Sequence, residues 1–552
     1  MKRSIRIIAK SFILSILLFS FSACTPAVNG TTNDQQSSTT TSTTTTTAGG
    51  GTQTSSSTSS IDFAKNLVIG WNLGNTLDAP TETGWGMPTT TQAMLTAVKA
   101  AGFKTVRIPV SWSKHITDST NYTIDSTWMA RVKEVVDYAY NQGMYVILNV
   151  HHDNYSTSTS DGLGSSSVYG YAITTDTTLQ TKSKNYLNKV WTQIATTFAS
   201  YDEKLIFEVL NEPRTVGEST EWHIEDSNSS TATTYNNIIT DYENTCISAI
   251  RAVSGNENRF IMVPPYAASG TMSVTLNNYT MPTDTATDKL ILSTHAYSPY
   301  NFAMANSDST FDSEDEASLT SIFNLLNTKY ISQGIGVVMG EASASNKNNT
   351  AERIKWVQSY FAKAKAIGIP VILWDNMVYT ADGNEDTSVY STGYSGEHHG
   401  WLNRNACKWY FPTIVQAMMD TVGVTGYSIP EYTILTADNI GWDESSATTI
   451  STESKIINWD SEYTPAASYF TGAQEGSILK ISFADSASAV NLRLTNSNWS
   501  VTYNTGSKIV NGNDIYYVLT ASDATAWKTS GLTISGAGGT VTSIKFLANP
   551  SA

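Results

Sequence analysis

The chain of 552 residues exceeds the size of one hydrophobic core, so its length predicts two folded units with connecting segments. Its formal net charge of -15 argues against nucleic acid and anionic lipid surfaces as partners, because both are bound by clustered Lys and Arg. Charged residues make up only 15%, whereas there are 14 Trp and 28 Tyr. This balance suits an extracellular protein that handles neutral sugars, although a Thr-rich segment also dilutes the average.

The chain begins with a predicted export signal. Basic residues flank the apolar run 11–21, and small side chains directly precede Cys24. This pattern resembles the precursor of a bacterial lipoprotein, so residues 1–24 are predicted to be a signal peptide. Lipidation of Cys24 as a membrane tether and ordinary signal-peptidase cleavage both stay open, because Phe21 stands where Leu is usual. Either outcome predicts a secreted, extracellular or cell-surface protein.

Residues 25–60 are rich in Ser and Thr and poor in apolar side chains. Such a segment cannot repay the entropy of ordering, so it is predicted to be a disordered spacer. The cysteines, Cys24, Cys246 and Cys407, are too few for a disulfide framework, and their spacing predicts no zinc site.

From residue 61 onward, short apolar runs alternate with helical patterns, which predicts repeated βα units and a parallel sheet. Strands are predicted at 67–73, 105–110, 145–150, 204–210, 259–263, 290–295, 336–339 and 371–374. Helical patterns lie between them, for example at 91–101, 128–142, 187–200 and 350–367. Residues 61–425 are therefore predicted to form an α/β fold, the (β/α)8 barrel.

A polar or aromatic residue lies at the end of each predicted strand. In chain order these residues are Asn72, Arg107, His151, Asn211 with Glu212, Tyr266, His295, Glu341 and Trp374. In this barrel the active site lies where the C-terminal ends of the strands meet. Functional side chains at that one position in successive units are hard to obtain by chance, so they predict a catalytic cleft.

Two of these residues, Glu212 and Glu341, are carboxylates delivered to the same mouth. Pro213 stops the first strand, and Gly340 allows close backbone approach beneath a substrate. Breaking a glycosidic bond needs a proton donor and a second carboxylate. The second carboxylate acts as nucleophile at a separation of about 5–5.5 Å and activates water when it is farther away. A lone strand-end Glu is usually a solvated loop residue, but a matched pair within eight ordered units favours catalysis.

Six motifs stand in order between residues 61 and 419. They are Gly70-Trp71-Asn72-Leu73-Gly74-Asn75-Thr76-Leu77-Asp78, Val106-Arg107-Ile108-Pro109-Val110, Asn149-Val150-His151-His152-Asp153, Asn211-Glu212-Pro213, His295-Ala296-Tyr297 and Gly340-Glu341. Together they resemble glycoside hydrolase family five, and the first run resembles its bacterial endoglucanase branch, called subfamily four. The resemblance implies a cofactor-free, metal-free retaining endo-hydrolase of β-1,4-glucans such as cellulose, mixed-linkage glucan and xyloglucan.

The resemblance also implies roles for the central residues. Glu341 is expected to be the nucleophile and Glu212 the acid/base, with its pKa raised by the nearby charge of Glu341. Arg107 and Tyr297 are expected to hydrogen-bond Glu341, and Arg107 would help to keep it ionised. Asn211 is expected to hold the sugar 2-hydroxyl.

Further residues are expected to contact substrate at the mouth. By the same resemblance, His151 and His295 bind hydroxyls or orient the carboxylates, and Trp374 forms a stacking floor under the sugar at the cleavage point. Asn72, at the end of the first strand, is counted with them. Trp85 and Trp401 lie in Gly-rich loops and are candidates for additional sugar subsites, although a core role for each stays open.

His151, His152 and Asp153 resemble a metal cluster in composition, but neighbouring side chains on a strand point to opposite faces. Only one histidine is therefore expected in the cleft, and the family resemblance selects His151. His398 and His399 are interpreted as polar loop residues.

Residues 426–552 show alternating apolar and polar positions and predict a small all-β sandwich. Strands are predicted at 477–483, 490–495, 499–503, 515–519, 532–535 and 541–547. The unit contains Trp442, Trp459, Trp499 and Trp527 and resembles carbohydrate-binding modules in general. A purely structural or spacer domain stays open.

The expected partner is a β-glucan polysaccharide, bound by a monomer. A mannanase or xylanase of the same family is an alternative, and the run 70–78 favours the endoglucanase branch. A non-catalytic surface lipoprotein that only binds glycans is a further alternative. The full set of polar groups at the strand ends argues against it.

Overall fold

The computed structural model describes residues 58–157, 163, 168–304, 308–379, 398–433, 435–459, 461–496, 507–548 and 550. The predicted signal peptide, Cys24, nearly all of the predicted spacer and the predicted strand 499–503 lie outside the described residues. Within the described ranges, no helix is both long and apolar enough to cross a membrane.

Eight parallel strands close into a barrel in chain order, with the last strand pairing with the first. They are β1 (Ile69–Asn72), β2 (Thr105–Ile108), β3 (Tyr145–Asn149), β4 (Leu205–Glu208), β5 (Ile261–Val263), β6 (Leu290–His295), β7 (Gly336–Ala342) and β8 (Val371–Leu373). Every predicted barrel strand is present with somewhat different ends. The predicted (β/α)8 fold is confirmed.

Helices alternate with these strands and two short strands follow them. The helices are α1 (Ser60–Leu67), α2 (Gln92–Ala100), α3 (Ser126–Tyr140), α4 (Thr177–Thr197), α5 (Ser229–Arg251), α6 (Ser273–Asn277), α7 (Tyr300–Ala303), α8 (Ser313–Lys329), α9 (Thr350–Ala366) and α10 (Pro412–Val422), and the short strands are β9 (Leu402–Asn403) and β10 (Lys408–Trp409). Local signals explain their starts. Asp125 accepts the Trp128 N–H ahead of α3, and Asp312 forms a capping box with Asp315 ahead of α8.

The helix α1 closes the N-terminal end of the barrel. Phe63 and Leu67 are fully buried there and pack against inward-facing strand residues such as Ile206 and Val338. The prediction of a strand from residue 67 is wrong at its start, because Leu67 ends α1 and Val68 turns the chain at a φ of 54°. Because α1 fills the N-terminal end of the barrel with apolar side chains, the polar side chains lie at the C-terminal end.

The barrel packing extends beyond the predicted boundary at residue 425. Tyr427 and Ile429 pack against the barrel core, and the Ser428 N–H donates to the Ala100 carbonyl. Glu431 forms a bridge with Trp409 of β10. The barrel unit therefore ends after these contacts, and the predicted boundary is too early because the sequence there shows no helical or strand period.

The described part of the C-terminal unit consists mainly of β-strands, as the predicted class requires, and includes one α-helix. Its elements are β11 (Thr448–Ser451), β12 (Lys455–Ile457), β13 (Ile478–Phe483), β14 (Asn491–Thr495), β15 (Ser507–Asn511), β16 (Asp514–Val518), α11 (Ala521–Ser530), β17 (Thr533–Ala537) and β18 (Gly539–Leu547). One sheet has the order β11-β18-β13-β16-β15, with β12 also paired to β18, and β14 pairs with β17 separately. The sequence did not predict β11, β12, β15 or α11.

The tryptophans of this unit differ in burial. Trp527 of α11 is fully buried in the core between the sheets, and Trp442 packs against Tyr516 on the other face of the larger sheet. Trp459 is exposed, and Trp499 lies outside the described residues. Carbohydrate binding by this unit stays a prediction.

Candidate active site

The two glutamates lie at the C-terminal mouth of the barrel. Glu341 is within β7, and Glu212 lies in the loop after β4. One oxygen of each carboxylate and one ring nitrogen of His295 lie within 4.8 Å of one another. Gly340 permits this arrangement, because a Cβ at that position would lie 3.0 Å from His295 Nε2. The barrel thus brings both predicted catalytic residues into one small cluster.

Two donors fix the Glu341 carboxylate. Arg107 Nη1 donates to Oε1 at 2.7 Å, and the Tyr297 hydroxyl donates to Oε2 at 2.7 Å. With one donor on each oxygen, the carboxylate is held in one orientation and its negative charge is stabilised. This arrangement suits a nucleophile that must remain ionised.

Arg107 is fully buried and uses its guanidinium to join several residues. It donates to the Glu208 carboxylate through Nε at 2.8 Å, to Asn72 Oδ1 at 2.9 Å and to Asn211 Oδ1 at 2.7 Å. Burial opposes the charge, but Glu208 and Glu341 outweigh it and raise the pKa of Arg107. Arg107 therefore acts on the carboxylates and amides of the site, and its burial keeps it from contacting substrate directly.

Glu208 is a residue of the site that the sequence interpretation missed. It is fully buried in β4 and accepts from Asn149 Nδ2 at 2.9 Å and from the Ser293 hydroxyl at 2.6 Å, in addition to Arg107. A signal was present, since a Glu within the apolar run Leu205–Glu208 must be paired if that strand is buried. Glu208 anchors Arg107 and thereby positions the group that holds Glu341.

Glu212 forms a pair with His295, whose Nδ1 lies 2.9 Å from Glu212 Oε1. Burial raises the pKa of Glu212, but the hydrogen bond and charge of His295 outweigh it, and the net pKa is lowered. Burial lowers the pKa of His295, but Glu341 and Glu212 outweigh it, and the net pKa is raised. The predicted raised pKa of Glu212 is therefore wrong. The two shifts favour a proton on His295, where it lies within one hydrogen bond of Glu212.

The tautomer of His151 follows from its neighbour Asn149. The Asn149 Oδ1 accepts from the Val110 N–H, so its Nδ2 is the atom 3.0 Å from His151 Nδ1. Because Nδ2 is a donor, Nδ1 of neutral His151 accepts and Nε2 carries the proton. Burial is the main cause that lowers the pKa of His151 well below its ordinary value. His151 thus presents an N–H donor at Nε2, where a metal ion would require a free lone pair.

Aromatic rings surround this histidine. Trp374 lies nearly parallel to His151, with ring centres 6.0 Å apart, and retains slight exposure. Trp85 is half-buried beside His152 at 5.6 Å. His151 and His152 are also neighbours, at 4.4 Å. The expectation that these two side chains point to opposite faces is wrong, because β3 ends at Asn149 and strand alternation no longer applies.

Two predicted substrate contacts are corrected by burial. Trp401 is fully buried, and its indole N–H donates to Ser343 Oγ at 3.1 Å, so it has no open face for a sugar. Asn72 is also fully buried and donates through Nδ2 to the Gly340 carbonyl at 3.0 Å. Trp401 is a core residue, and Asn72 positions Arg107 and β7.

Asn211 and His295 contact the groups around the two glutamates, whereas Tyr266 contacts the loop after Glu212. Asn211 is buried, and because its Oδ1 accepts from Arg107, its Nδ2 is the atom left to donate to a ligand. His295 contacts the carboxylates through Nδ1. Tyr266, at another strand end, is buried and bonds Thr215 in the loop after Glu212.

A family model described as Cellulase (glycosyl hydrolase family 5) matches residues 70–379. The cellulase/esterase CelE of Acetivibrio thermocellus is 42% identical over 371 residues, which cover 66% of this chain and 41% of that protein. This chain therefore spans less than half of the length of that relative. Endoglucanase B of Neocallimastix patriciarum is 36% identical over 380 residues, covering 66% of this chain and 72% of that protein.

Solved structures with the same fold include three with named substrates or ligands. A GH5-4 broad specificity endoglucanase from Ruminococcus champanellensis with bound cellotriose is 38% identical, with a TM-score of 0.57, and the match covers 66% of this chain and 99% of that one. A lichenase from Caldicellulosiruptor is 35% identical, with a TM-score of 0.58 and coverage of 66% and 96%. A xyloglucan-specific endo-beta-1,4-glucanase from a metagenomic library is 34% identical, with a TM-score of 0.56 and coverage of 65% and 98%.

Proposed function

Because this chain belongs to the cellulase family, glycosyl hydrolase family 5, we propose that it is an endo-acting hydrolase of β-1,4-linked glucans that retains anomeric configuration. The observation that carries the proposal is the approach of Glu212 and Glu341 within 4.8 Å. Retaining glycosidases keep their carboxyl groups about 5–5.5 Å apart, whereas inverting enzymes need roughly 6.5–9.5 Å for a water molecule. The fixed orientation of Glu341 further supports its role as nucleophile.

The first step forms a glycosyl-enzyme. A Glu341 oxygen attacks the anomeric carbon, the bond to the leaving sugar breaks, and the leaving oxygen takes a proton from Glu212. His295 supplies the proton that Glu212 delivers, because the two groups share one hydrogen bond. Asn211 is placed to bind the sugar 2-hydroxyl, a contact that strengthens in the transition state.

The second step reverses these roles. Once Glu341 is esterified it no longer carries a negative charge, and the Glu212 carboxylate removes a proton from water as the water attacks the anomeric carbon. The bond to Glu341 breaks and the sugar is released. Arg107 and Tyr297 stabilise the carboxylate that departs, through the same two hydrogen bonds.

The stereochemistry of the first product tests this mechanism. Proton NMR of a cello-oligosaccharide during early hydrolysis should show the β-anomer before mutarotation. Early accumulation of the α-anomer would exclude double displacement.

The substrate proposal is broader than cellulose. Relatives with the same fold carry the names lichenase and xyloglucan-specific endo-beta-1,4-glucanase, and another holds cellotriose. We expect reducing sugar from carboxymethyl-cellulose, mixed-linkage glucan and xyloglucan. Activity on mannan or xylan alone would replace this proposal with one of the alternatives within the family.

A glycan-binding protein without turnover is the rival from another class. Glu341→Ala should lower hydrolysis by several orders of magnitude, because it removes the proposed nucleophile. Glucan affinity should remain measurable by calorimetry, because the aromatic side chains that could stack on sugars are unchanged. Equal hydrolysis by the wild type and this variant would refute the catalytic assignment.

We also propose that the chain is exported and tethered through lipidated Cys24. Mass spectrometry of the mature N-terminus should find a diacylglyceryl group on Cys24 and its loss in Cys24→Ala. A mature chain cleaved at another bond would support ordinary secretion instead.

A further inference from the structure

Arg214 is a cation beside Glu212 that has no part in the two proposed steps. It lies in the loop after β4, and 16% of its side-chain surface is accessible. Its Nη1 donates to the Glu212 carbonyl at 3.0 Å and lies 3.9 Å from Glu212 Oε2. His295 Nδ1 lies 2.9 Å from the other carboxylate oxygen, Oε1. The Glu212 carboxylate therefore has a titratable ring at one oxygen and a permanent cation at the other.

The backbone and the side chain of Arg214 are both fixed. Its carbonyl accepts from Asn154 Nδ2 at 2.8 Å, and its Nε donates to Glu221 Oε1 at 3.2 Å. The other oxygen of Glu221 accepts from the Gly217 N–H at 2.9 Å, which orients that carboxylate. Trp222 covers one face of the guanidinium, whose central carbon lies 3.8 Å from the ring centre. The cation is thus held in one position beside the proposed acid/base.

The other ionisable groups around Glu212 differ from Arg214 in their charge or in their contacts. They are His295 of β6, Glu341 of β7, His152 after β3 and Arg107 of β2. Burial lowers the pKa of His152 to about 4, so this ring is neutral near neutral pH. Arg107 is bonded to the carboxylates of Glu341 and Glu208. Among the described residues, Arg214 is the permanent cation that contacts Glu212 itself.

The two proposed steps need opposite protonation states of Glu212. Burial lowers the pKa of His295, and the charge of Glu341 is the first of the effects that outweigh it, so a proton is available beside Glu212 in the first step. In the glycosyl-enzyme that charge is gone, because Glu341 has become an ester. A positive His295 is then less favoured, whereas Arg214 keeps its charge. Arg214 therefore remains to stabilise the Glu212 carboxylate.

We propose that Arg214 is the positioning residue that holds Glu212 as a carboxylate in the second step, where it acts as a base. There Glu212 takes a proton from water, the water oxygen bonds to the anomeric carbon, and the bond to Glu341 breaks with its electron pair returning to that carboxylate. Glu221 keeps Arg214 in place and offsets part of its charge. This inference rests on the proposed double displacement and assigns a residue to one of its two steps.

The second step can be measured by itself. The full-length protein is trapped with a 2-deoxy-2-fluoro-β-cellobioside that has an activated leaving group, and the excess reagent is removed. Recovery of activity, with cellobiose as the acceptor, is then followed across pH. An activated leaving group needs no proton, so the trapping rate does not depend on Glu212 as an acid. Recovery requires the Glu212 carboxylate, so its rate has an acid limb in which it falls as pH falls through the pKa of Glu212.

The acid limb of recovery should move to higher pH by about one unit in both Arg214→Gln and Arg214→Met. A cation at 3.9 Å lowers the pKa of a carboxyl group, so its loss raises that pKa, and the partial exposure and Glu221 limit the size of the effect. The trapping rate should change by less than about threefold. Arg214→Lys keeps the charge and should reverse most of the shift. Lys184→Met removes one positive charge from an exposed ion pair with Asp241 and should leave the limb in place.

An unmoved acid limb in the Gln and Met variants would overturn the inference. Equal losses of trapping and recovery at every pH would also overturn it, because they would indicate a general structural role. A shift of the same size in Lys184→Met would assign the effect to net charge and contradict a local role for Arg214. A wild-type protein that hydrolyses no glucan and is never trapped would instead overturn the proposed function. A shift that the Lys variant reverses is the result that the structure predicts.

Discussion

At the scale of single residues, the orientation of the Glu341 carboxylate depends on side chains that are fully buried beneath it. Glu208 anchors Arg107, and Arg107 in turn orients Glu341 and Asn211. Because these groups are buried, each hydrogen bond is strong and each lost partner is costly. The orientation of Glu341, the proposed nucleophile, is therefore set by residues buried below the mouth of the barrel.

Replacing Glu208 by Gln should lower kcat about 100-fold with a smaller change in KM. The substitution keeps the shape but removes the charge that anchors Arg107, so Glu341 loses its orientation. Steady-state kinetics on mixed-linkage glucan measure the effect. Glu243→Gln is the matched control, since Glu243 is also fully buried but bonds Tyr279 away from the site. Equal losses in the two variants would show a general folding defect.

The Glu212 and His295 pair predicts a specific pH dependence. The raised pKa of His295 means that the proton is held at low pH and is lost as pH rises through that pKa, so activity should fall on the alkaline side. In His295→Gln the proton must reside on Glu212 alone, and the alkaline limb of kcat/KM should move to lower pH. Tyr297→Phe should lower kcat without this shift, because Tyr297 bonds Glu341 instead. An unmoved limb in His295→Gln would contradict the shared proton.

At the scale of elements, polar side chains lie at the C-terminal ends of the barrel strands. The helices, including α1, provide the apolar packing around and below the barrel. α1 inserts Phe63 and Leu67 into the opposite end of the barrel. The apolar residues that stabilise the barrel are thus concentrated at its N-terminal end, and the polar residues of the site lie at its C-terminal end, as is general for this fold.

This separation predicts the behaviour of Phe63→Ala. The loss of a fully buried aromatic ring should reduce the free energy of unfolding by about 3–5 kcal/mol. Below the melting transition, kcat should change by less than about twofold, because Phe63 packs at the end of the barrel away from the glutamates. Denaturant unfolding and kinetics on the same preparation test both statements, and a large loss of kcat in folded protein would contradict them.

The barrel strands and the polar residues at their ends were predictable, because the sequence repeats the same pattern of an apolar run followed by a polar residue. The roles of Trp401 and Asn72 were not, since the sequence places both near the mouth and only the fold shows that they are covered. Glu208 was missed because its partners, Arg107 and Ser293, are distant in sequence. The pKa shifts of Glu212 and His295 were not predictable either, because they depend on a 2.9 Å contact between residues that are far apart in the sequence.

At the scale of the whole molecule, the barrel and the C-terminal unit have separate hydrophobic cores. The barrel core includes Tyr427 and Ile429, whereas Ile440 packs with Ile478 of β13. The two units therefore divide between these positions, and the proposed catalytic residues Glu212 and Glu341 both belong to the barrel.

A chain that ends at residue 433 should keep the kcat of the full protein on soluble mixed-linkage glucan within about twofold. A chain that ends at residue 425 lacks the Ser428 and Glu431 contacts and should melt at a lower temperature. Thermal unfolding and kinetics of both chains test this boundary. Equal melting temperatures would contradict it.

The most direct test of the central claim is the identity of the residue that bonds to the sugar. A 2-deoxy-2-fluoro-β-cellobioside with an activated leaving group slows the second step, so the glycosyl-enzyme should accumulate. Peptide mass spectrometry of the trapped protein should find the fluorosugar on Glu341, with one sugar per chain. A label on Glu212, or full inactivation without any covalent label, would contradict the account.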